Sequence, residues 1–462
     1  MPADLDELFD TLARQADTIP LAGPDQARLR GRRRTRRQAM IAVAAAVVLV
    51  ATGIGAGMRH SHRGDVQPLG TIPYVAPPIG LGGPGYGRAM TRDGDRAYGV
   101  WMRDGRTWMT AADLRSGKVL WPIRTIADAQ RRIDRVVAVP DGPVVVETRA
   151  HDATRQLFAF SAGTGEQVWQ ATIPDEDSLV YSGRMLVRLS PADHRVIGLD
   201  YASGAQRWSV PVGAVRILGM RIPVDEELAD QSGLPAVYAD PRFVVITTDQ
   251  SAQVRDVRTG RLERSVPVWP GSGAAMVAYD GFLFSHDEAD DSSGPVQLRA
   301  TDLYGQLGTD RAAPIPGRLV TMNACGRQRV CVITQAGSRT TVTAVDARTR
   351  QRAWQSSAVP GADHLTSARG RTIVGNGIFT PSAVFDTDGR PLLGTGEAVS
   401  WLDPDTLAVR ARTGKLVRYV ASTGVRTTLG TLPMGMQDPC VSSGARLACL
   451  GPDSLEILNV GG

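Results

Sequence analysis

The sequence predicts an all-β protein made of repeated four-stranded antiparallel sheets, preceded by one transmembrane α-helix. Gly (50) and Pro (29) together make 79 of 462 residues, about 17%, above the usual ~12%, which favours many turns between short strands. A strand–turn–Trp pattern recurs after residue 100, and a run of 21 uncharged residues comes before it. The chain is 42% apolar and 21% charged, which predicts a buried core and excludes a disordered protein.

Positive charge is concentrated at the amino terminus. Of the 52 basic residues 50 are Arg, and residues 1–64 hold ten Arg against six acids, a balance of +4 out of the net +5. Residues 65–462 therefore carry only +1, which is not the basic footprint of a duplex-binding protein. We expect no nucleic-acid partner.

Residues 1–37 are predicted to form a cytoplasmic tail. Apolar residues at helical spacing in 4–19 predict a short amphipathic helix, which either lies on the membrane surface or docks a cytosolic partner. Seven Arg between Arg28 and Arg37 form a basic collar before the apolar run. This charge asymmetry predicts that the amino terminus is cytoplasmic and that the chain after residue 60 is exported. The arrangement resembles the tails of actinobacterial single-pass proteins.

Residues 38–58 are the predicted transmembrane helix. At 1.5 Å per residue these 21 residues would span ~31 Å, which matches a hydrocarbon core of ~30 Å. A cleaved signal peptide is an alternative, and so is a twin-arginine export signal, because Arg36 and Arg37 are adjacent. Each of these alternatives also implies export.

Residues 59–88 are rich in Pro and Gly and are predicted to form a linker. The run 80–85 fits the pattern G-x-G-x-x-G, but it follows Pro77-Pro78 instead of an apolar strand. The context that a dinucleotide site requires is therefore missing.

Residues 89–462 contain a repeat. The segments Arg106–Trp121, Gln156–Trp169 and Arg195–Trp208 each show an alternating strand, a Gly turn, and Trp four residues after the Gly. A fourth copy ends at Trp354 and has Arg350 in the Gly position. Weaker copies place turns at 260, 305, 389 and 424. The average spacing, about 44 residues, is close to the ~40–45 residues of a four-stranded propeller blade.

A β-propeller explains this pattern physically. One four-stranded sheet cannot cover both of its faces, so sheets stacked radially bury the aliphatic and Trp side chains between them. The turn Gly supplies a positive φ, and the Trp anchors one blade against the next through its large buried area. The predicted blade-docking residues are Gly117, Trp121, Gly165, Trp169, Gly204, Trp208 and Trp354.

The two ends of the repeat region are predicted to meet. Residues 69–73 read LGTIP, almost the LGTLP that ends a fourth strand at 429–433, while 440–460 lacks a fourth strand. We therefore expect residues 69–76 to close the last blade beside 454–460. With that blade the modules number nine, one more than common rings hold. Either two weak copies (around 305 and 389) are misassigned or short blades merge, and we expect eight blades, with seven as the alternative.

The four cysteines predict two disulfides in an oxidising compartment. A two-residue turn at Gly444-Ala445 would place Cys440 directly opposite Cys449. Cys325 and Cys331 occupy the equivalent first hairpin of another blade. Metal binding by these pairs is the weaker alternative, because no His lies near either pair.

The spacing of Asp, Thr-Gly and Trp resembles the tryptophan-docking repeat of quinoprotein-dehydrogenase-type (PQQ-like) β-propellers. Dehydrogenases of this type resemble one another in a pair of adjacent cysteines and in calcium held by Glu, Asn and Asp. This sequence has no adjacent cysteines and only three Asn, so the resemblance implies the fold and not the quinone cofactor. No H-E-x-x-H, G-x-S-x-G or phosphate-binding Gly-Lys motif is present. We therefore predict no catalytic residue, cofactor or metal.

These observations predict a non-catalytic, membrane-anchored extracytoplasmic propeller that binds a protein, peptide or cell-envelope ligand through its loops. It is similar to propeller scaffolds such as envelope assembly lipoproteins, although its anchor would be the helix, because the sequence has no lipobox cysteine. The alternatives are a transmembrane sensor that signals through the cytoplasmic tail, or a propeller enzyme.

Overall fold

The computed structural model describes residues 72–127, 132–150, 153–222, 237–268, 272–287, 295–305, 309–312, 314–376, 381–411, 415–431 and 439–461. These residues form 35 strands, and none of them forms a helix that could cross a bilayer. The predicted tail (1–37), transmembrane helix (38–58) and first part of the linker lie outside the described residues.

The strands assemble into antiparallel modules in which neighbours in sequence are neighbours in space, except that the first strand pairs with the last. We number the modules in chain order. The first strand of the described chain is β1 (Ile79–Gly80). Modules 1 to 4 consist of β2 (Tyr86–Asp93), β3 (Arg96–Arg103), β4 (Arg106–Asp113) and β5 (Val119–Ala127); β6 (Arg132–Ala138), β7 (Pro143–Arg149), β8 (Thr154–Ser161) and β9 (Gln167–Pro174); β10 (Ser178–Tyr181), β11 (Leu186–Ser190), β12 (Arg195–Leu199) and β13 (Gln206–Pro211); and β14 (Ala214–Gly219), β15 (Arg242–Thr247), β16 (Ser251–Asp256) and β17 (Leu262–Pro267).

The remaining strands continue the same order. They are β18 (Ser272–Tyr279), β19 (Phe282–Asp287), β20 (Gln297–Asp302) and β21 (Thr309–Arg311) in module 5; β22 (Arg318–Ala324), β23 (Arg329–Ala336), β24 (Arg339–Asp346) and β25 (Arg352–Ser357) in module 6; then β26 (His364–Ala368), β27 (Arg371–Gly375), β28 (Pro381–Phe385), β29 (Pro391–Asp403), β30 (Thr406–Arg410), β31 (Lys415–Val420) and β32 (Val425–Thr431); and finally β33 (Cys440–Ser443), β34 (Arg446–Leu450) and β35 (Ser454–Asn459).

The described strands make eight hydrogen-bonded sheets, the number of blades expected from the sequence. Seven sheets have four strands, and the eighth, β26 to β32, has seven. The long strand β29 explains the difference, because Ala398 pairs with Pro381 on β28 and also with Arg410 on β30. We call β26 to β28 with the first part of β29 module 7, the second part of β29 with β30 to β32 module 8, and β33 to β35 module 9. The end of module 7 therefore becomes the first strand of module 8. The expected merging of short blades occurs here, and eight sheets contain nine modules.

The core is divided among the interfaces between modules. Nine hydrophobic clusters of described residues each join two consecutive modules, including modules 7 and 8 within the merged sheet and modules 9 and 1 across the chain ends. The middle strands supply much of this core, as in β7, whose Val144, Val145 and Val146 are fully buried. Such strands are apolar on both faces because a module packs on each side. The described modules therefore form a closed ring.

The ring closes where the chain ends meet. Tyr74 bridges to Leu458, and β1 pairs with β35, so residues 73–80 supply the fourth strand of module 9. The amide of Asn459 donates to the carbonyl oxygen of Pro73 at 2.9 Å. The described part of the expected closing segment 69–76 thus lies beside 454–460. The ring also begins earlier than the expected boundary at residue 89, because β2 starts at Tyr86.

Part of the expected linker is ordered by the same closure. Leu81, inside the Gly-rich run, is fully buried, and its amide donates to the Asp453 carbonyl oxygen at 2.8 Å. The amide of Gly85 donates to the Pro452 carbonyl oxygen at 2.7 Å. The run 80–85 therefore connects the closing strand to module 1.

Both predicted disulfides are present, Cys325–Cys331 and Cys440–Cys449. Cys440 and Cys449 are direct partners in the register of β33 and β34. The turn between these strands has Gly444 at φ +52, as its position in a tight hairpin requires.

Candidate functional site

The ring has two faces with different local structure. The first hairpin of each module and the turn between its third and fourth strands lie at one end, which we call the Gly-turn face. The second hairpin and the connection to the next module lie at the other end, which we call the loop face. This division follows from the antiparallel order of the strands. Candidate binding residues are therefore assigned to one face or the other.

The predicted Trp and Gly residues meet across module boundaries. Trp121 of module 1 packs on Gly165 of module 2, so that a Cβ at position 165 would lie under 3.0 Å from the indole ring. Trp121 Nε1 also donates to the carbonyl oxygen of Ala162, three residues before that Gly, at 3.3 Å. The docking partner of each Trp is thus the turn of the following module.

The same geometry recurs around the ring. Trp169 Nε1 donates to Tyr201 O at 2.6 Å, and Trp208 Nε1 donates to Val257 O at 2.9 Å, in each case three residues before the turn Gly of the next module. Positive φ values confirm the turn geometry at every predicted position, including +62 at Arg350. The Trp contacts in this series are with Gly204, Gly260 and, for Trp354, Gly389; Gly117 packs on Ala76 of the closing segment.

One weak copy keeps the contact with a different residue. Arg264 stands four residues after Gly260, where the strong copies have Trp, and its guanidinium packs on Gly305 of module 5. An Arg stem and planar head can cover apolar surface in place of an aromatic ring. The Trp pattern alone does not predict this substitution.

The turns of the Gly-turn face satisfy their own polar groups. Asp113 Oδ1 accepts from the backbone amide and the hydroxyl of Ser116, each at 2.7 Å, and these hydrogen bonds lower the pKa of Asp113. Equivalent bonds join Asp256 to Thr259 and Asp346 to Thr349. Their carboxylates are therefore used in local turn structure.

The loop face carries a network of charged side chains between modules 2 and 3, which we call the loop-face network. Its members are Asp134, Glu147, Arg149, Arg155, Asp175, Asp177, Tyr181 and Arg188. Arg149 bridges two carboxylates, with Nε 2.7 Å from Asp134 Oδ2 and Nη1 2.9 Å from Asp175 Oδ2. Because Asp175 belongs to the connection 174–178, these ion pairs fix that loop to module 2.

The deeper part of the network is buried. Arg155 Nη1 lies 3.3 Å from Glu147 Oε2, and Tyr181 Oη donates to Glu147 Oε1 at 2.8 Å. Arg188 pairs with Asp177, whose side chain is fully buried, and burial raises the pKa of Asp177 although the Arg188 hydrogen bond opposes this shift. Burial also raises the pKa of Tyr181 well above its usual value. The buried network thus supports the connection 174–178, in which Glu176 is exposed.

The loop-face network was not predicted from the sequence. A usable signal was present, because Glu147 and Arg149 interrupt an otherwise apolar middle strand that a ring must bury. Charged residues at such positions are almost never fully buried unless paired. In the described residues, no group of three or more His, Cys, Asp or Glu side chains could hold a metal ion, and both cysteine pairs are oxidised.

Part of the chain is similar to a known family. Residues 81–302 match the family model described as outer membrane protein assembly factor BamB. A search of curated proteins finds no match.

Solved structures include similar chains at low identity. BamB from Moraxella catarrhalis is 18% identical over 78% of this chain and 99% of its own, with a TM-score of 0.41. The computationally designed Ika8 protein is 13% identical over 82% and 97%, with a TM-score of 0.43, and the Dos1 propeller is 10% identical over 81% and 94%, also with 0.43. The family match over residues 81–302 and the Trp-docked repeat of four-stranded sheets support a PQQ-like β-propeller repeat.

Proposed function

We propose that this protein is a membrane-anchored extracytoplasmic propeller that binds a protein, peptide or cell-envelope ligand through its loop face, and that it acts without catalysis. The matching family is described as an outer membrane protein assembly factor, which supports a role in protein interaction. The uncharged run at 38–58 and the Arg collar before it support the anchor and its orientation. The two disulfides suit an oxidising compartment.

The observation that carries the proposal is the buried loop-face network and the connection that it holds. Turn carboxylates on the Gly-turn face are used by their own backbone, as at Asp113. On the loop face, the buried network holds the connection 174–178 in place and leaves Arg132 74% exposed beside Asp134. Rigidly supported loops with exposed charged groups are the usual place for binding residues on a scaffold. Fixing the loop in advance also reduces the entropy lost on binding.

Site-specific photocrosslinking in native membranes tests this proposal. A photoreactive amino acid is placed at Glu176, which is exposed on the loop face beside the network, in the full-length chain. The matched control is Arg258, which is exposed in a turn of the Gly-turn face. We expect a discrete, light-dependent adduct from position 176 and none from 258. Adducts from 258 alone, or equal labelling from both positions, would contradict a loop-face site.

The anchor has its own test. Deletion of residues 38–58 should move the protein from the membrane fraction to the soluble fraction, provided the deleted protein is still made and stable. A deleted chain that stays in the membrane fraction after alkaline extraction would contradict the predicted helix.

A further inference from the structure

Arg221 is a buried guanidinium whose side-on edge has no hydrogen-bond partner among the described residues. It lies two residues after β14, near the Gly-turn face, and is only 2% exposed. Its backbone is fixed to module 5, because its amide donates to Ala278 O at 3.0 Å and its carbonyl accepts from the Asp280 amide at 2.9 Å. Its Nη1 donates to Asn323 Oδ1 in module 6, whereas its Nε and Nη2 make no hydrogen bond within the described part of the chain.

The free Nε/Nη2 edge is the edge through which an arginine side chain binds an oxyanion with two hydrogen bonds. Nε–H and Nη2–H point the same way from the planar head and match the two oxygens of a carboxylate, or two oxygens of a phosphate or sulfate. Arg242 of the same chain shows this edge occupied, with Nε 2.8 Å from Asp240 Oδ1 and Nη2 2.8 Å from Oδ2. No carboxylate of the described residues pairs with Arg221 within 4.0 Å.

The Arg221 side chain is held in position by other modules. Asn323 Nδ2 donates to Leu365 O of module 7 at 3.0 Å, which orients the Asn323 amide so that its oxygen faces Arg221. In the strand register Asn323 lies opposite Cys331, half of the Cys325–Cys331 disulfide. The guanidinium is therefore anchored at its backbone and at one nitrogen, so that the direction of its free edge is set in advance.

A buried charge without a counter-charge is strongly destabilising, so an arrangement of this kind needs a compensating anion. We propose that the Nε/Nη2 edge of Arg221 is an oxyanion-binding site, which takes a carboxylate or a tetrahedral oxyanion side-on with Asn323 as its positioning residue. This site lies away from the loop-face network, and it does not depend on the proposed loop-face binding.

Thermal unfolding of the full-length chain in different salts tests the site. The probes are sodium acetate for a carboxylate and sodium sulfate for a tetrahedral oxyanion, with sodium chloride at equal ionic strength as the reference. We expect one oxyanion to raise the unfolding midpoint with a saturable dependence; at a hundred times its Kd the apparent folding equilibrium constant rises about 100-fold. Arg221→Met should lose this rise. Arg207→Met should keep it, because the same edge of Arg207 is already paired with Asp200 on an exposed turn.

Other results would overturn the proposal. An equal rise in wild type and Arg221→Met would mean a general salt effect, and the absence of a rise with either probe would mean that the edge binds no oxyanion. A strongly destabilised Arg221→Met without oxyanion dependence would mean that another part of the chain neutralises the guanidinium. If Arg221→Met fails to fold, Arg221→Lys keeps the charge but lacks the fork and should weaken oxyanion binding at least about tenfold.

Discussion

Gly165 tests the Trp-docked interface most sharply, because the chain contains a matched control. Gly165 has φ +69 and the Trp121 ring against it, whereas Gly424 has φ +72 in the same turn position and no atom within 4 Å of the point that a Cβ would occupy. Alanine at either position bears the same cost of a left-handed backbone. Only Gly165→Ala also places a methyl group under 3.0 Å from an indole.

The two costs can be separated in magnitude. A left-handed alanine costs about 1–2 kcal/mol, so Gly424→Ala should destabilise the protein by that amount. Overpacking against a buried ring adds about 1–3 kcal/mol, so Gly165→Ala should cost about 2–5 kcal/mol. Trp121, which is 2% exposed, cannot move away freely, since its Nε1 is bonded to Ala162 O.

A double-mutant cycle with Trp121→Ala completes the test. That change alone should cost about 3–5 kcal/mol through the cavity it leaves. In Trp121→Ala/Gly165→Ala the clash is removed, so the combined loss should be smaller than the sum of the single losses by about 1–3 kcal/mol. Urea unfolding followed by circular dichroism measures all four proteins and Gly424→Ala. Equal losses for the two glycines, or strict additivity in the cycle, would refute cross-module docking.

Three further predictions concern charge and covalent structure. Burial, and to a smaller extent the neighbouring Asp141 carboxylate, raises the pKa of Asp93 above 3.8, so ionisation of Asp93 lowers the stability of the fold as the pH rises. Asp93→Asn should therefore have a higher unfolding midpoint than wild type at pH 7. A pH series of thermal scans should show no such advantage below pH 3.8. Replacing Cys440 and Cys449 by Ser should lower the free energy of unfolding by about 2–3 kcal/mol on the chain-entropy estimate, and a reductant should then affect the variant less than wild type in urea titrations. Tyr181→Phe removes the 2.8 Å hydrogen bond to the buried Glu147 carboxylate and should lower the free energy of unfolding in urea by about 1–3 kcal/mol. A decrease no larger than that of a surface Tyr→Phe change would show that the loop-face network does not need this hydrogen bond.

The repeat and its docking contacts could be predicted from sequence because they are local. A Gly at positive φ and a Trp four residues later occur within one hairpin, so their spacing is visible along the chain. The partner of each Trp could be assigned only to the neighbouring blade. That Trp121 meets Gly165, and not the turn of its own module, depends on how two modules stack.

The merged sheet could be anticipated only as one of two alternatives. Nine modules were visible in the sequence, but the continuous pairing at Ala398 arises because the long strand β29 runs unbroken from module 7 into module 8. Hydrogen bonding joins the described strands into eight sheets, while hydrophobic packing forms nine interfaces between modules. The blade number thus depends on which physical interaction defines a blade.

The partners within the charged sites could not be predicted, because they lie in different modules. Arg221 and Asn323 are separated by 102 residues, and only the closed ring brings them together. The loop-face network likewise joins two modules. In a chain with 50 Arg, composition does not indicate which guanidinium is buried, and only the three-dimensional contacts identify Arg221 and Arg155.

The central structural claim is that the ring is closed by residues 73–81 pairing with the carboxy-terminal strand. Amide hydrogen exchange of the full-length chain, read by mass spectrometry, measures this directly. The amides of Val75 and Leu81 donate to Ile457 O and Asp453 O, each at 2.8 Å, so peptides covering 73–81 should exchange as slowly as those of β35. Exchange of 73–81 at the rate of an unstructured linker, while β35 stays protected, would contradict the closed ring.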